Sequence, residues 1–326
     1  DVGDSPYNMG NNFIYMAIRR PDALVAKPAE AGTDAFAMDA GNGNTTQAFD
    51  SGFPVDWAIT RAPADTTNWE TGGRLIPNKW LATNNTDAES PAAYFSFDSN
   101  TGWMSGASAY NSTYQSWMWK RGAGLDVVTY TGGGTGQTMS HSLNAVPEMI
   151  WVKCRSGTHD WAVYHKELNG GTNPEQKYLV LNSTAAEVDN SNRWGDTAPT
   201  ATTFTVGGAN SVGDGGVTYV AMLFASVDGI SKVGYYSGNG QTGSNGRFVS
   251  TGFTPRFILI KNINQNGNDW WTHDSFRGMD KAMALDQTAA QATQDYLDIS
   301  STGFRITSSY VGYNASGDNY IYYAHA

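Results

Sequence analysis

The feature that most constrains this 326-residue chain is an internal repeat. Three times a proline leads an apolar run: Pro54-Val55-Asp56-Trp57-Ala58-Ile59-Thr60, Pro147-Glu148-Met149-Ile150-Trp151-Val152-Lys153, and Pro255-Arg256-Phe257-Ile258-Leu259-Ile260-Lys261. Each run is followed by a tryptophan (Trp69, Trp161, Trp270) and then by a segment in which Lys, Asn or Asp, and Thr keep one spacing. Those segments are Lys79 to Glu89, Lys177 to Glu187 and Lys281 to Gln291. A strand around an aromatic comes next (Trp103, Phe204, Phe304). An aromatic-rich strand closes each copy: Tyr114 to Lys120, Tyr219 to Ala225 and Tyr320 to Ala324. Four landmarks in one order, three times over, mark a repeat. A unit of roughly 100 residues has the size of a small domain with its own core rather than of a solenoid turn. The expected division is 1–121 (an N-terminal strand, a linker and a divergent first copy), 122–228, and 229–326.

The strands read as β throughout. Ile150-Trp151-Val152-Lys153 and Ile258-Leu259-Ile260-Lys261 are apolar at successive positions, as in a strand covered on both faces. Proline at the strand's first position removes no ladder hydrogen bond. Short strands such as Val127 to Thr131 and Val233 to Ser237 run into glycine-rich turns. The stretch Thr184-Ala185-Ala186-Glu187 reads as one helical turn capped by Ser183 or Thr184. Asn11 to Arg20 resembles an additional closing strand, and Ala23 to Gly32 reads as a linker. About six or seven strands per unit are most simply buried as two antiparallel sheets face to face. The expected fold class is all-β, with tandem antiparallel β-sandwich modules of jelly-roll or concanavalin-like type.

Charge and cysteine content narrow the function. The net charge is −10, and only Arg19-Arg20 and Lys120-Arg121 place basic residues side by side. A nucleic-acid partner calls for a basic stripe, so none is expected. No apolar run reaches the ~18 residues of a membrane span. Cys154 is the sole cysteine and lies in an apolar run, which suits a buried thiol better than a nucleophile.

Candidate chemistry is sparse. Glu89 and Glu187 are equivalent, but the third copy has Gln291, which cannot ionise; general acid–base work is therefore not expected there. His165 and His273 differ in their offset from the preceding tryptophan, and the first copy has no counterpart, so a metal site is not indicated. Asp189 to Asp196 is oxygen-rich but lacks the spacing of a calcium hand, and Asx turns explain it. No cofactor or metal is expected. What remains is a surplus of aromatics. Trp117 and Trp119 point one way along a strand. Trp194 and the consecutive Trp270-Trp271 are candidates for a glycan platform or an interface, with core packing as the competing use.

Pro147 to Arg155, Lys177 to Glu187, Tyr219 to Ala225, and Asp274-Ser275-Phe276-Arg277-Gly278 within residues 252–326 resemble a tandem module of tailed-phage virion proteins, as in marine and cyanobacterial phages. That resemblance implies a non-enzymatic virion structural protein: a tail fibre, an adhesin or a capsid decoration. It implies a place on the virion surface outside the cell. The partners it implies are further copies of the chain, with a trimer expected for a fibre, other virion proteins, and a host surface glycan. A carbohydrate-binding adhesin acting directly on host glycans is the alternative. A polysaccharide-degrading glycosidase stands third, since it needs two carboxylates across a cleft.

Overall fold

The computed structural model describes residues 29–103, 110–122 and 124–326. The strand expected at Asn11 to Arg20 and most of the linker after it lie outside the described residues. The chain is all-β, with 3₁₀ turns such as Leu168–Gly171 as its helical content among the described residues.

Each copy builds one six-stranded antiparallel sheet with the same strand order. In the first it runs Phe36–Ala40, Gln115–Trp119, Trp57–Arg61, Glu70–Gly73, Lys79–Ala82, Ser90–Pro91. In the second it runs Leu125–Thr131, Thr218–Phe224, Met149–Cys154, Ala162–His165, Lys177–Val180, Val188–Asp189. In the third it runs Ser231–Ser237, Asn319–His325, Phe257–Asn262, Trp271–Asp274, Lys281–Ala284, Ala292–Thr293. The proline-led and closing strands pair at the centre. The matched registers Trp57 with Trp119, Met149 with Phe224, and Phe257 with His325 align the copies residue by residue.

A smaller sheet covers one face of each large one. It is formed by Phe49–Asp50 with Gly102–Trp103, by Gln137–Ser140 with Thr203–Val206, and by Phe248–Ser250, Gly303–Ile306 and Leu297–Ser300. Each sandwich has its own core. Phe49, Phe95 and Trp103 fill the first, Ile150, Trp194 and Phe204 the second, and Ile258, Phe304 and Tyr313 the third. These are the antiparallel sandwich modules read from the repeat.

The opposite faces of the three large sheets meet one another. A single apolar cluster joins Trp57, Ile59 and Trp117 of the first copy to Met149, Trp151 and Met222 of the second and Phe257, Leu259 and Tyr323 of the third. Beyond its own sandwich core, each copy therefore shares a fourth core with the other two. They close around a common centre, with a residual cavity of about 10 Å³ lined by side chains of all three. That space is at most a single water molecule's. The proline-led strand explains itself in this arrangement. Along Met149–Cys154 every residue is buried, with Met149 and Trp151 entering the shared centre and Ile150, Val152 and Cys154 entering the sandwich.

Volumes compensate across the pairs that meet at the centre. Trp57 is opposite Gly73, Met149 opposite His165, and Phe257 opposite Asp274. A Cβ on Gly73 would sit 2.6 Å from the Trp57 ring, so the largest side chain of the three is matched with no side chain at all.

Candidate functional site

The polar side chains that the repeat keeps in register gather at the seams between copies. The tryptophan after the proline-led strand defines each seam. Trp161 of the second copy donates its indole N–H to the Ala82 carbonyl of the first at 2.8 Å. Trp270 of the third donates to Val180 of the second at 3.0 Å, and Trp69 of the first to Ala284 of the third at 2.8 Å. The relation is cyclic and closes. Within each copy the backbone N–H of the same tryptophan donates to Asn84 Oδ1, Asn182 Oδ1 or Asp286 Oδ1. That is the physical reason for the fixed Lys–Asn/Asp spacing: the Asx side chain fixes the tryptophan that reaches across the seam.

The cation ending each proline-led strand does the same. Arg61 donates to the carbonyls of Thr288 and Ala289 at 3.0 Å. Lys153 Nζ donates to Thr86 O at 3.0 Å and His159 O at 2.8 Å, and Lys261 Nζ to Ser183 O and Asn268 O. Burial lowers all three: Arg61 to about 10, Lys153 to about 8, and Lys261 below the ordinary lysine range. Lys261 faces Asp286, whose carboxyl burial raises above the ordinary range, with Asp269 adding to the rise.

The stretch expected as a helical turn is irregular instead. The Glu187 N–H donates to Ile263 O at 3.0 Å and the Ala186 N–H to Asn266 Oδ1 at 2.9 Å, both in the third copy. Equivalent backbone bonds join Glu89 to Arg155 and Gln291 to Pro63. Bonds to the next copy thus replace the local i to i−4 bonds of a helix. Of the side chains at these positions, that of Glu89 crosses its seam as well. Glu89 pairs with Arg155 at 2.7 Å, and Gln291 Oε1 accepts from Arg277. Arg277 pairs with the buried Asp274 at 2.7 Å, and Asp274 accepts the Trp117 indole N–H at 3.1 Å.

The histidines fall on opposite faces. His165 stands opposite Met149 and His273 opposite Ile258, so the offset in sequence is an offset of face. Burial lowers His165 to about 3 and His273 to about 4. His273 lies between Met279 O at 2.8 Å and Tyr313 Oη at 2.7 Å. Among the described residues no group of three or more His, Cys, Asp or Glu is placed to hold a metal ion. In the oxygen-rich loop the Asn190 side chain accepts the Asn192 N–H as an Asx turn does, and Asn192 Oδ1 accepts the N–H of the distant Gly208.

The structure buries two of the three aromatic candidates. Trp194 is buried in the second sandwich and donates to Lys177 O at 3.0 Å. Trp270 is buried in a seam, but the seam lies between two copies of one chain. Trp271 is half-buried and stacks on Tyr313 with centroids 5.8 Å apart. Trp103, Trp117 and Trp119 are buried too. A sheet covered on one face could not hide them all; these sheets are covered on both. The exposed large apolar side chains lie elsewhere, at Leu75, Val146, Val188, Tyr235, Phe248, Phe276 and Tyr310.

A family profile described as a domain of unknown function, DUF7483, matches residues 33–326. The chain belongs to that family. The DUF7483 match covers all three copies together, as does the shared core. Among curated proteins no relative matches the chain. No helix among the described residues is long and apolar enough to cross a membrane.

Proposed function

We propose that the chain is a non-enzymatic structural and attachment protein of a phage virion surface, displayed outside the cell as a fibre tip, adhesin or capsid decoration. The observation that carries this reading is the closed ring of seams. The in-register polar residues Arg61, Lys153, Lys261, Trp69, Trp161 and Trp270 hold one copy to the next. Their chemistry is spent on a rigid threefold frame from which the outer loops of three sandwiches project. Such a frame brings the trimeric arrangement expected of a fibre into a single chain, and it matches threefold positions on a particle without needing two further copies. The test is immunogold labelling of intact particles from the phage that encodes the chain. Gold at the tail or on the capsid supports the reading, and particles without label overturn it.

The glycan-binding adhesin is favoured by a separate observation. The third copy carries exposed Tyr235 and Phe248 around an open groove. Buried Trp194 and Trp270 have no part in it.

A further inference from the structure

The groove lies where the two sheets of the third sandwich part at their edges. Strand Ser231–Ser237 forms one wall and strand Phe248–Ser250 the other. Its volume is about 330 Å³, and Tyr235, Ser237, Arg247, Phe248, Ser250 and Tyr322 line it. Tyr235 is 54% exposed and Phe248 40% exposed. Arg305 stacks over the Phe248 ring, its guanidinium carbon 5.5 Å from the centroid, and donates to Gly246 O at 2.8 Å. Arg247 donates its Nε–H to Ser237 O at 2.7 Å. Among the described residues neither guanidinium has a carboxylate at ion-pair distance. Asp298, opposite Arg305 in the ladder, makes no ion pair with it.

The other two copies reveal what the scaffold itself requires at these positions. In the second, the pair equivalent to Phe248 and Arg305 is Thr138 and Thr205, whose hydroxyls meet at 2.9 Å. Gln137 stands at the place of Arg247 and Thr129 at that of Tyr235. In the first copy the residues at the places of Tyr235, Arg247 and Phe248 are Ala40, Gln47 and Ala48. Neutral residues hold all four places in the second copy and the three described places in the first. Two aromatics and two arginines at the same four places, in a chain of net charge −10, are not needed for folding.

We propose that this groove binds an anionic saccharide. A sugar ring's C–H face packs on Tyr235 or Phe248, the carboxylate or sulfate takes the free N–H edge of Arg247 while Arg305 backs the Phe248 ring, and the Ser237 and Ser250 oxygens, whose own hydrogens go to Asn319 and Thr302, accept from ring hydroxyls. Guanidinium matches a planar carboxylate in paired hydrogen bonds, and an aromatic ring offers area at low entropic cost. A peptide adding as a strand is disfavoured, because Arg247 occupies the Ser237 carbonyl at the sheet edge. The inference deepens the glycan-attachment reading and rests on it.

The test is isothermal titration of the whole chain with four probes: tetragalacturonate, a sulfated carrageenan tetrasaccharide, neutral galactotetraose and hexaglutamate. Each is compared with an exchange variant carrying the second copy's residues, Tyr235→Thr, Arg247→Gln, Phe248→Thr and Arg305→Thr. Arg247→Gln alone serves as the second variant should the fourfold exchange lower the melting temperature. The expected result is that one or both acidic saccharides bind, that galactotetraose binds at least about tenfold more weakly, and that either variant loses about tenfold or more in affinity. Comparing carboxylated with sulfated probe tells which anion is preferred. Binding of neither acidic saccharide, equal binding of galactotetraose, tighter binding of hexaglutamate, or full affinity in the variants overturns the proposal. An unliganded groove on a chain that labels the particle removes the saccharide assignment alone. Particles without label remove the attachment reading whatever the groove binds.

Discussion

Replacing Trp161 by Phe tests the seams at their simplest point. Trp161 is fully buried, and its indole N–H meets the Ala82 carbonyl at 2.8 Å. Trp69 also packs at a tilt against Trp117 and lies under Arg61, and Trp270 lies beside Lys261, so substitutions there disturb more than one contact. Phenylalanine removes the donor and leaves the Ala82 carbonyl buried without it, at about 1–3 kcal/mol. The lost ring volume of roughly 40 Å³ adds about 1 kcal/mol at ~24 cal/mol per Å³ of cavity. The expected loss is about 2–4 kcal/mol, read as a lower midpoint in urea with an unchanged slope. An analogue with sulfur in place of the indole N–H keeps the shape and isolates the hydrogen-bond part, about 1–3 kcal/mol. A loss below about 0.5 kcal/mol, the range of an ordinary surface change, would refute the reasoning.

Three further outcomes follow from the same frame. Lys153 falls from an ordinary 10.5 to about 8 in the fold, so between those values the unfolded chain holds a proton the folded chain has released. The Lys153 part of the rise in stability with pH above 8 should be at most about 3 kcal/mol, and Lys153→Met should remove that part in a melting series while leaving the part due to Lys261. The rise should turn over above pH 10, where the unfolded tyrosines ionise while Tyr219 and Tyr322, raised to about 12, keep their protons. Asp286→Asn puts at the third seam the amide that Asn84 and Asn182 supply at the others, so urea unfolding at pH 7 should move by less than about 1 kcal/mol despite the buried position. Cys154 is buried and its thiol raised by burial, so a thiol reagent should stay unreacted in the native protein and label one site per chain in denaturant.

Much of the fold was legible because the repeat repeats its physics. The doubly apolar run Ile150-Trp151-Val152 announced a strand covered on two faces, and the alternation of Trp117 and Trp119 placed both rings on one face. What covers that face was not legible, since the covering strands come from other copies and no local pattern encodes the partner. The same cause misdirected the reading of Thr184 to Glu187. Its composition suits a helical turn, while the bonds that decide it come from Ile263 and Asn266. The surplus tryptophans stayed divided between platform, interface and core because a sandwich buries only one face of each sheet, and here the shared centre buries the other. The groove was missed although a signal existed: position-by-position alignment of the copies sets Thr129, Gln137 and Thr138 against Tyr235, Arg247 and Phe248. Only the strand registers supply that alignment, because the turns between the strands differ in length.

The three copies form one structural unit around a common core. Differential scanning calorimetry of the whole chain tests it most directly. A shared core makes the copies unfold together, so the calorimetric and van't Hoff enthalpies should agree in a single transition. A calorimetric enthalpy near three times the van't Hoff value, or separate peaks, would mean that the copies melt as independent domains and would contradict the claim.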